Sequence, residues 1–297
     1  MEIREQISAY IKTLKQRGTA QNTIVSYERD LRQMETYLAS AGVFEACQAD
    51  EMHLRGFLLH MEAEHKRPAT IARAAASAKA FFRYLQQTGQ VMYDPSQQLK
   101  APKVEKGIPH ILTPQEVVRL LQQPNGNTAK VMRDRAMLEL LYATGIRVSE
   151  LIQLQIGDVN LTMEYLVCSQ GTKERVIPFG SVARQTLTEY LEKARPQLVK
   201  DTDCQQLFTN LSGKKMSRQG FWKLVKQYAQ EAGIEGEITP HTLRHSFAAH
   251  LVNNGADLYA VGEMMGYADL SAAQVYAKMH RVSVREAYTK AHPRERS

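Results

Sequence analysis

The sequence predicts a mainly α-helical protein with a small β-sheet, built as a helical N-terminal domain followed by an α-rich C-terminal domain. Three observations predict it. Apolar residues recur at helical spacing along most of the chain. Only residues 164–178 carry the short β-branched and aromatic runs of paired strands. Pro95, Pro102 and Pro109 crowd a lysine-bearing segment that interrupts the helical pattern near residue 100. The division reads as a first domain over 1–100, a linker over 101–112 and a second domain over 113–297. A length of 297 residues fits two medium domains, and 43% hydrophobic against 23% charged residues is enough apolar material to fill a core in each.

In the first domain, Ile3, Ile7, Tyr10, Ile11 and Leu14 mark a helix that ends at Gly18. A second helix starts within residues 19–23 and runs to about Leu38, with Ile24, Tyr27, Leu31 and Met34 on one face. Asp50 is placed to cap a third helix through Met61, and Pro68 opens a fourth that ends at Gly89. The fourth is alanine-rich over 72–80, which suits close approach to another helix or to a DNA groove. In the second use Arg73, Ser77, Lys79 and Arg83 would reach phosphates or base edges. Helix packing alone is the better reading of the alanines until something else indicates DNA.

The second domain opens on a capping box, with Thr113 as cap, Pro114 in the first turn and Glu116 three residues on. Helices are expected over 114–122, 129–142, 147–154, 181–194, 217–232, 240–253, 257–265, 271–279 and 283–290. Residues 164–168 and 175–178 read as two strands of a hairpin, turning through 169–174.

Composition narrows the classes of function. No apolar run approaches the ~18 residues of a membrane span, and the polar, periodic start is no secretory signal. Cys47, Cys168 and Cys204 form no paired motif, which fits reduced thiols in a cytoplasm and gives no support for zinc. The net charge of +7 permits a polyanionic partner. It is shared between the halves, with 15 basic against 12 acidic residues in 1–107 and 23 against 19 in 108–297.

Four motifs carry chemistry. In Thr144-Gly145-Ile146-Arg147-Val148-Ser149-Glu150-Leu151, Gly145 can end one helix so that Arg147 stands at the start of the next, where anions are favoured. Glu150, three residues on, can orient its guanidinium. In Thr239-Pro240-His241-Thr242-Leu243-Arg244-His245-Ser246-Phe247, His241 and Arg244 project from one face near a helix start. His241 and His245 also have a spacing that can bind zinc, but no third ligand accompanies them. Lys173 sits at the hairpin tip, where it is either solvated or a movable general acid. Tyr276 and Tyr267 lie nine residues apart near the chain's end, and a tyrosine there is either packed or a nucleophile stabilised by nearby cations. Together these residues suit attack on a phosphodiester without a metal: arginines neutralise the non-bridging oxygens, a general acid protonates the leaving oxygen, and a tyrosine ester stores the bond energy.

At these residues the sequence resembles the tyrosine recombinase (phage integrase) family, most of all its Xer group. Ala143–Leu151, Gly171–Pro178, His241–Ala248 and the 266–276 segment carry the resemblance. So do the first-half stretch Asn22-Thr23-Ile24-Val25-Ser26-Tyr27 and the ending Ala291-His292-Pro293-Arg294. The resemblance implies a helical core-binding domain followed by a catalytic domain. It implies that Arg147, Lys173, His241 and Arg244 surround the scissile phosphate, with Glu150 in support, and that Tyr276 attacks to leave a 3′-phosphotyrosine. Tyr267 stands where the family usually has histidine, sometimes tryptophan, and its hydroxyl can still donate. Asn22, Arg73, Ser77 and Lys79 become candidate DNA contacts. No cofactor and no metal are expected. The implied partners are double-stranded DNA, three further copies or related recombinase subunits in a homo- or hetero-tetramer with the helix after Ser283 docked on a neighbour, and a DNA translocase by analogy with Xer systems. Chromosome-dimer resolution is the role this implies. A mobile-element integrase, a type IB topoisomerase-like enzyme and a non-cleaving architectural protein share enough of these features to be alternatives.

Overall fold

The computed structural model describes residues 2–103, 109–170, 173–201, 203–267 and 276, with Gln170 and Lys173 described by backbone alone. The expected helices over 271–279 (apart from Tyr276) and 283–290 and the hairpin tip at 171–172 fall outside the described residues. The chain divides into two compact units, Met1–Gly107 and Ile108–Ser297. No described helix is long and apolar enough to cross a membrane.

The N-terminal unit holds α1 (Ile3–Gln16), α2 (Gln21–Ser40), α3 (Glu51–Ala63) and α4 (Pro68–Gln87), the four helices the periodicity predicts. Asp50 accepts from the His53 amide at 2.9 Å, the cap that starts α3. The core gathers the i, i+3, i+4 faces: Ile7 and Ile11 of α1, Leu31 and Met34 of α2, Phe57 and Met61 of α3, and Phe81, Phe82 and Leu85 of α4.

One charged group on these faces escapes a hydrophobic pattern. Asp30 of α2 is 3% exposed, and Arg73 of α4 grips it with two hydrogen bonds of 2.8 Å, from Nε and Nη2. Ser77, fully buried one turn later, donates to the same carboxylate at 3.2 Å. Arg73 and Ser77, both candidate DNA contacts, are thus also partners of a buried acid. Both are committed to an internal tie between α2 and α4, because a buried carboxylate needs its partners. Lys79 remains half-buried and Asn22 exposed.

In the C-terminal unit, α5 (Pro114–Leu121) starts at the expected capping box, with Thr113 accepting from the Glu116 amide. α6 (Ala129–Thr144) is buried on nearly all sides, and its Asp134, fully buried, accepts from Lys130, Arg133 and Tyr228. α7 is a single turn, Val148–Leu151, instead of the expected 147–154. The chain after it is claimed elsewhere: the Leu154 carbonyl accepts from Leu207 N, and Ile156 N donates to Gln205 O. The sheet is antiparallel, β1 (Val159–Asn160), β2 (Tyr165–Gln170) and β3 (Lys173–Pro178), in that order. The hairpin pairs run from Tyr165 opposite Pro178 to Gln170 opposite Lys173. β1 pairs only Val159 with Leu166 and Asn160 with Tyr165, too short a run to leave an alternating pattern. α8 (Ser181–Glu189) passes through a π-turn, Tyr190–Ala194, into α9 (Arg195–Leu198), because Pro196 has no N–H to donate four residues back. α10 (Arg218–Glu231), α11 (Pro240–Asn253) and α12 (Leu258–Met265) follow.

Candidate active site

Two backbone turns set the site. Gly145 ends α6 in the left-handed region, φ +60°, and a side chain there would run into the Phe247 ring of α11. This reversal delivers Arg147 to the cap position of α7. Glu150 then closes the turn, its Oε2 accepting from Arg147 N at 2.7 Å and its Oε1 from Arg147 Nη1 at 3.0 Å. The second turn is Gly266, also left-handed, at the end of α12. A side chain on it would strike the guanidinium of Arg175 from β3.

Three arginines from three elements meet at this second turn. Arg175 Nη1 donates to Met264 O at 2.9 Å, Arg244 Nη2 donates to Met265 O, and Arg147 Nη2 donates to Gly266 O at 2.8 Å. Three consecutive carbonyls at a helix C-terminus, where the helix dipole is negative, each receive one guanidinium. Glu150 joins two of them, since Arg175 Nη2 also donates to its Oε1 at 2.6 Å. Arg244, 5% exposed, also donates to the Gly145 carbonyl, so the two glycine turns are tied to one side chain. Burial pulls the Arg244 guanidinium below its ordinary value, and the Arg147 and Arg175 charges add to this, while Tyr267 and Glu150 oppose it.

His241 occupies the first turn of α11, which Thr239 caps by accepting from the Thr242 amide. Partial burial, then the Arg244 charge, holds its imidazole below the usual histidine range. Tyr276 is 1% exposed and packs with Phe247, Ala248, Val261 and Met265. Its hydroxyl lies 3.0 Å from Tyr267 Oη and 2.5 Å from His245 Nδ1. Burial, then the Tyr267 hydroxyl, pushes its ionisation well above that of a free phenol, and the Arg244 charge works in the opposite direction. The Tyr267 ring faces the Arg244 guanidinium at 5.6 Å.

The structure thus brings together Arg147, Glu150, Arg244, Tyr267 and Tyr276, with His241 one turn from Arg244. Lys173 heads β3, two residues before Arg175. Two participants were missed by sequence reasoning. Arg175 lay inside a quoted motif, but nothing local says that it reaches Glu150. The spacing of His245 from His241 suggests only a zinc pair, and among the described residues no three His, Cys, Asp or Glu side chains gather as a metal cluster.

A helical unit followed by an α-rich unit whose site clusters arginines, histidines and a buried tyrosine defines a class that the comparisons identify. The phage integrase family matches residues 110–281, and its N-terminal SAM-like domain matches residues 7–89. The chain belongs to the phage integrase family and is a Xer-like site-specific tyrosine recombinase, an enzyme of DNA strand breakage and rejoining. It is 41% identical over 290 residues to the tyrosine recombinase XerD of Staphylococcus epidermidis, covering 97% of this chain and 98% of that one. To XerD of Listeria monocytogenes it is 42% identical over 282 residues, covering 94% and 95%. Among solved structures, the Tn1549 transposon integrase in complex with circular intermediate DNA matches with a TM-score of 0.77 at 20% identity, covering 98% of this chain and 99% of that one. The XerH recombinase bound to its palindromic difH substrate matches at 0.75 and 23%, covering 98% and 84%. These last two are likenesses of fold.

Proposed function

We propose that this recombinase cuts duplex DNA through Tyr276 and acts in chromosome-dimer resolution. Arg147 and Arg244 take the non-bridging oxygens of the scissile phosphate, with His241 beside them. Tyr276 Oη forms a bond to phosphorus as the bond to the 5′ oxygen breaks, and Lys173 protonates that oxygen. A 3′-phosphotyrosine and a free 5′-hydroxyl result, so the incoming strand's 5′-hydroxyl can reseal the chain without ATP. The observation that carries this reading is the buried Tyr276 hydroxyl, in hydrogen-bond contact with His245, the residue that follows Arg244 on α11. Tyr267 fills a donor's place against that hydroxyl.

Four subunits, identical or paired with a related recombinase, act on two DNA sites in the cytoplasm, and a DNA translocase fits as partner by analogy with Xer systems. Likeness to XerD proteins over nearly the whole chain supports the chromosomal role over a mobile-element one. DNA complexes of proteins with this fold support duplex DNA as the substrate.

The test is a suicide duplex carrying a recombination site, with EDTA present. Wild-type protein should form a covalent adduct, and Tyr276→Phe should bind the duplex but form none. Tyr267→Phe should slow adduct formation; cleavage at the wild-type rate would remove Tyr267 from the mechanism. Binding without any adduct from wild-type protein would favour an architectural role. Efficient relaxation of a plasmid lacking the site would favour a topoisomerase.

A further inference from the structure

For Tyr276 to attack phosphorus its hydroxyl proton must pass to an acceptor. Lys173 is assigned to the other oxygen. His241 makes no hydrogen bond to Tyr276 among the described residues. Among the described residues, two groups lie within hydrogen-bond distance of Tyr276 Oη. Tyr267, 3.0 Å away, is a phenol and can donate, but a neutral phenol is a very weak base. His245, 2.5 Å away through Nδ1, is an imidazole and therefore a base of suitable strength at neutral pH.

His245 is also held where this matters. It follows Arg244 directly on α11, and Arg244 is anchored through the carbonyls of Gly145 and Met265. The helix thus fixes the spacing between the phosphate-binding guanidinium and the ring nitrogen. The ionisable groups acting on His245 are His241 and Arg244 of its own helix, with Tyr276 and, behind it, Tyr267 facing it from the other side. Partial burial comes first among the influences on the ring, then the His241 and Arg244 charges; all favour the neutral form, which has a lone pair to offer.

We propose that His245 is a catalytic residue, the general base that takes the proton of Tyr276. This rests on Tyr276 being the nucleophile. With the ring proton on Nε2, Nδ1 accepts the phenolic proton while the Oη–phosphorus bond forms and the phosphorus–O5′ bond breaks. The departing oxygen takes its proton from the separate acid. On resealing, the imidazolium returns its proton to the Tyr276 oxygen.

The experiment measures single-turnover adduct formation by the full-length protein on the suicide duplex, between about pH 5 and pH 9, for wild type, His245→Gln and His245→Ala. Glutamine keeps a hydrogen-bond acceptor but takes up no proton in this range. Wild type should lose rate as pH falls below about 6.5, the ordinary histidine value. His245→Gln should lose that acid limb and fall about 100-fold or more in rate, with DNA affinity unchanged. Added imidazole should restore part of the rate to His245→Ala, in proportion to its free-base fraction. A wild-type rate and an unchanged acid limb in His245→Gln would overturn the proposal, as would no recovery of a folded, DNA-binding His245→Ala with imidazole. Peptide mapping of the wild-type adduct separates the two assignments. An adduct on another tyrosine overturns the nucleophile and its base together, whereas an adduct on Tyr276 with His245-independent cleavage overturns only the base.

Discussion

Gly145→Ala should damage the C-terminal unit more than its small size suggests. Two costs add. An alanine at φ +60° sits in the left-handed region, at about 1–2 kcal/mol. Its Cβ would also overlap the Phe247 ring, which is buried in a packed cluster and must shift, at about 1–3 kcal/mol for overpacking. The sum is about 2–5 kcal/mol. Gly233→Ala is the control, because Gly233 has φ +63° in the same unit but open space where its Cβ would go. It should cost only the backbone term, about 1–2 kcal/mol. The only tryptophan of the chain, Trp222 on α10, reports this unit, so urea titrations followed by its fluorescence measure both variants. Combining Gly145→Ala with Phe247→Leu should recover about 1–3 kcal/mol relative to the sum of the single changes. Equal losses in the two alanine variants, together with zero coupling to Phe247, would refute the claim that Gly145 is required by the ring as well as by the turn.

Arg175→Met should lower adduct formation while leaving DNA affinity within about twofold, because Glu150 would keep Arg147 but lose its second partner, and the end of α12 would lose one of three ties; gel-shift and suicide-substrate assays on one preparation decide it. Arg73→Met should destabilise the N-terminal unit by about 2–3 kcal/mol, less than the ~3–5 kcal/mol for breaking a fully buried pair because Arg73 is 35% exposed. Far-UV circular dichroism should detect that loss at urea concentrations where Trp222 fluorescence is unmoved. The C-terminal unit should also be acid-sensitive. His241, His245 and His250 are all held below their ordinary value, burial first, so below about pH 6.5 the unfolded chain binds more protons than the folded one. Stability is therefore full above pH 6.5 and falls as pH drops toward the folded-state values. Urea midpoints of the Trp222 transition that stay flat from pH 7 to pH 5 would contradict this.

Much of this was legible in the sequence because it is local. The helices α1 to α4 follow from apolar spacing, and α3, α5 and α11 start at side chains that cap them. Arg147 and Glu150, three residues apart, meet as their spacing demands. What was not legible depends on partners distant in the chain. Asp30 looks like a solvated acid until Arg73, 43 residues later, closes on it. α7 stops after one turn because the Leu154 carbonyl is taken by Leu207. His245 is one histidine of a helical pair until the Tyr276 hydroxyl arrives from 31 residues away. Side-chain type and spacing announce a motif, but the choice between ligand, tie and base is made by what the fold brings to the other side.

The same logic explains how three guanidiniums coexist before any DNA binds. Among the described residues, the Glu150 carboxylate accepts directly from both Arg147 and Arg175. Their mutual repulsion would otherwise scatter them. The end of α12 supplies the remaining compensation: its last carbonyls have no helical partners, carry the negative end of the helix dipole, and are spaced so that one guanidinium reaches each. Partial charges of this kind orient a cation without neutralising it. Gly266 makes the arrangement compact, because any side chain there would displace Arg175 and with it the strand that begins at Lys173. The end of α12 is thus more than a connection to Tyr267 and Tyr276. It is the point at which the hairpin, α7 and α11 are held in register, so a shift of this one helix end would move both arginines assigned to the phosphate at once.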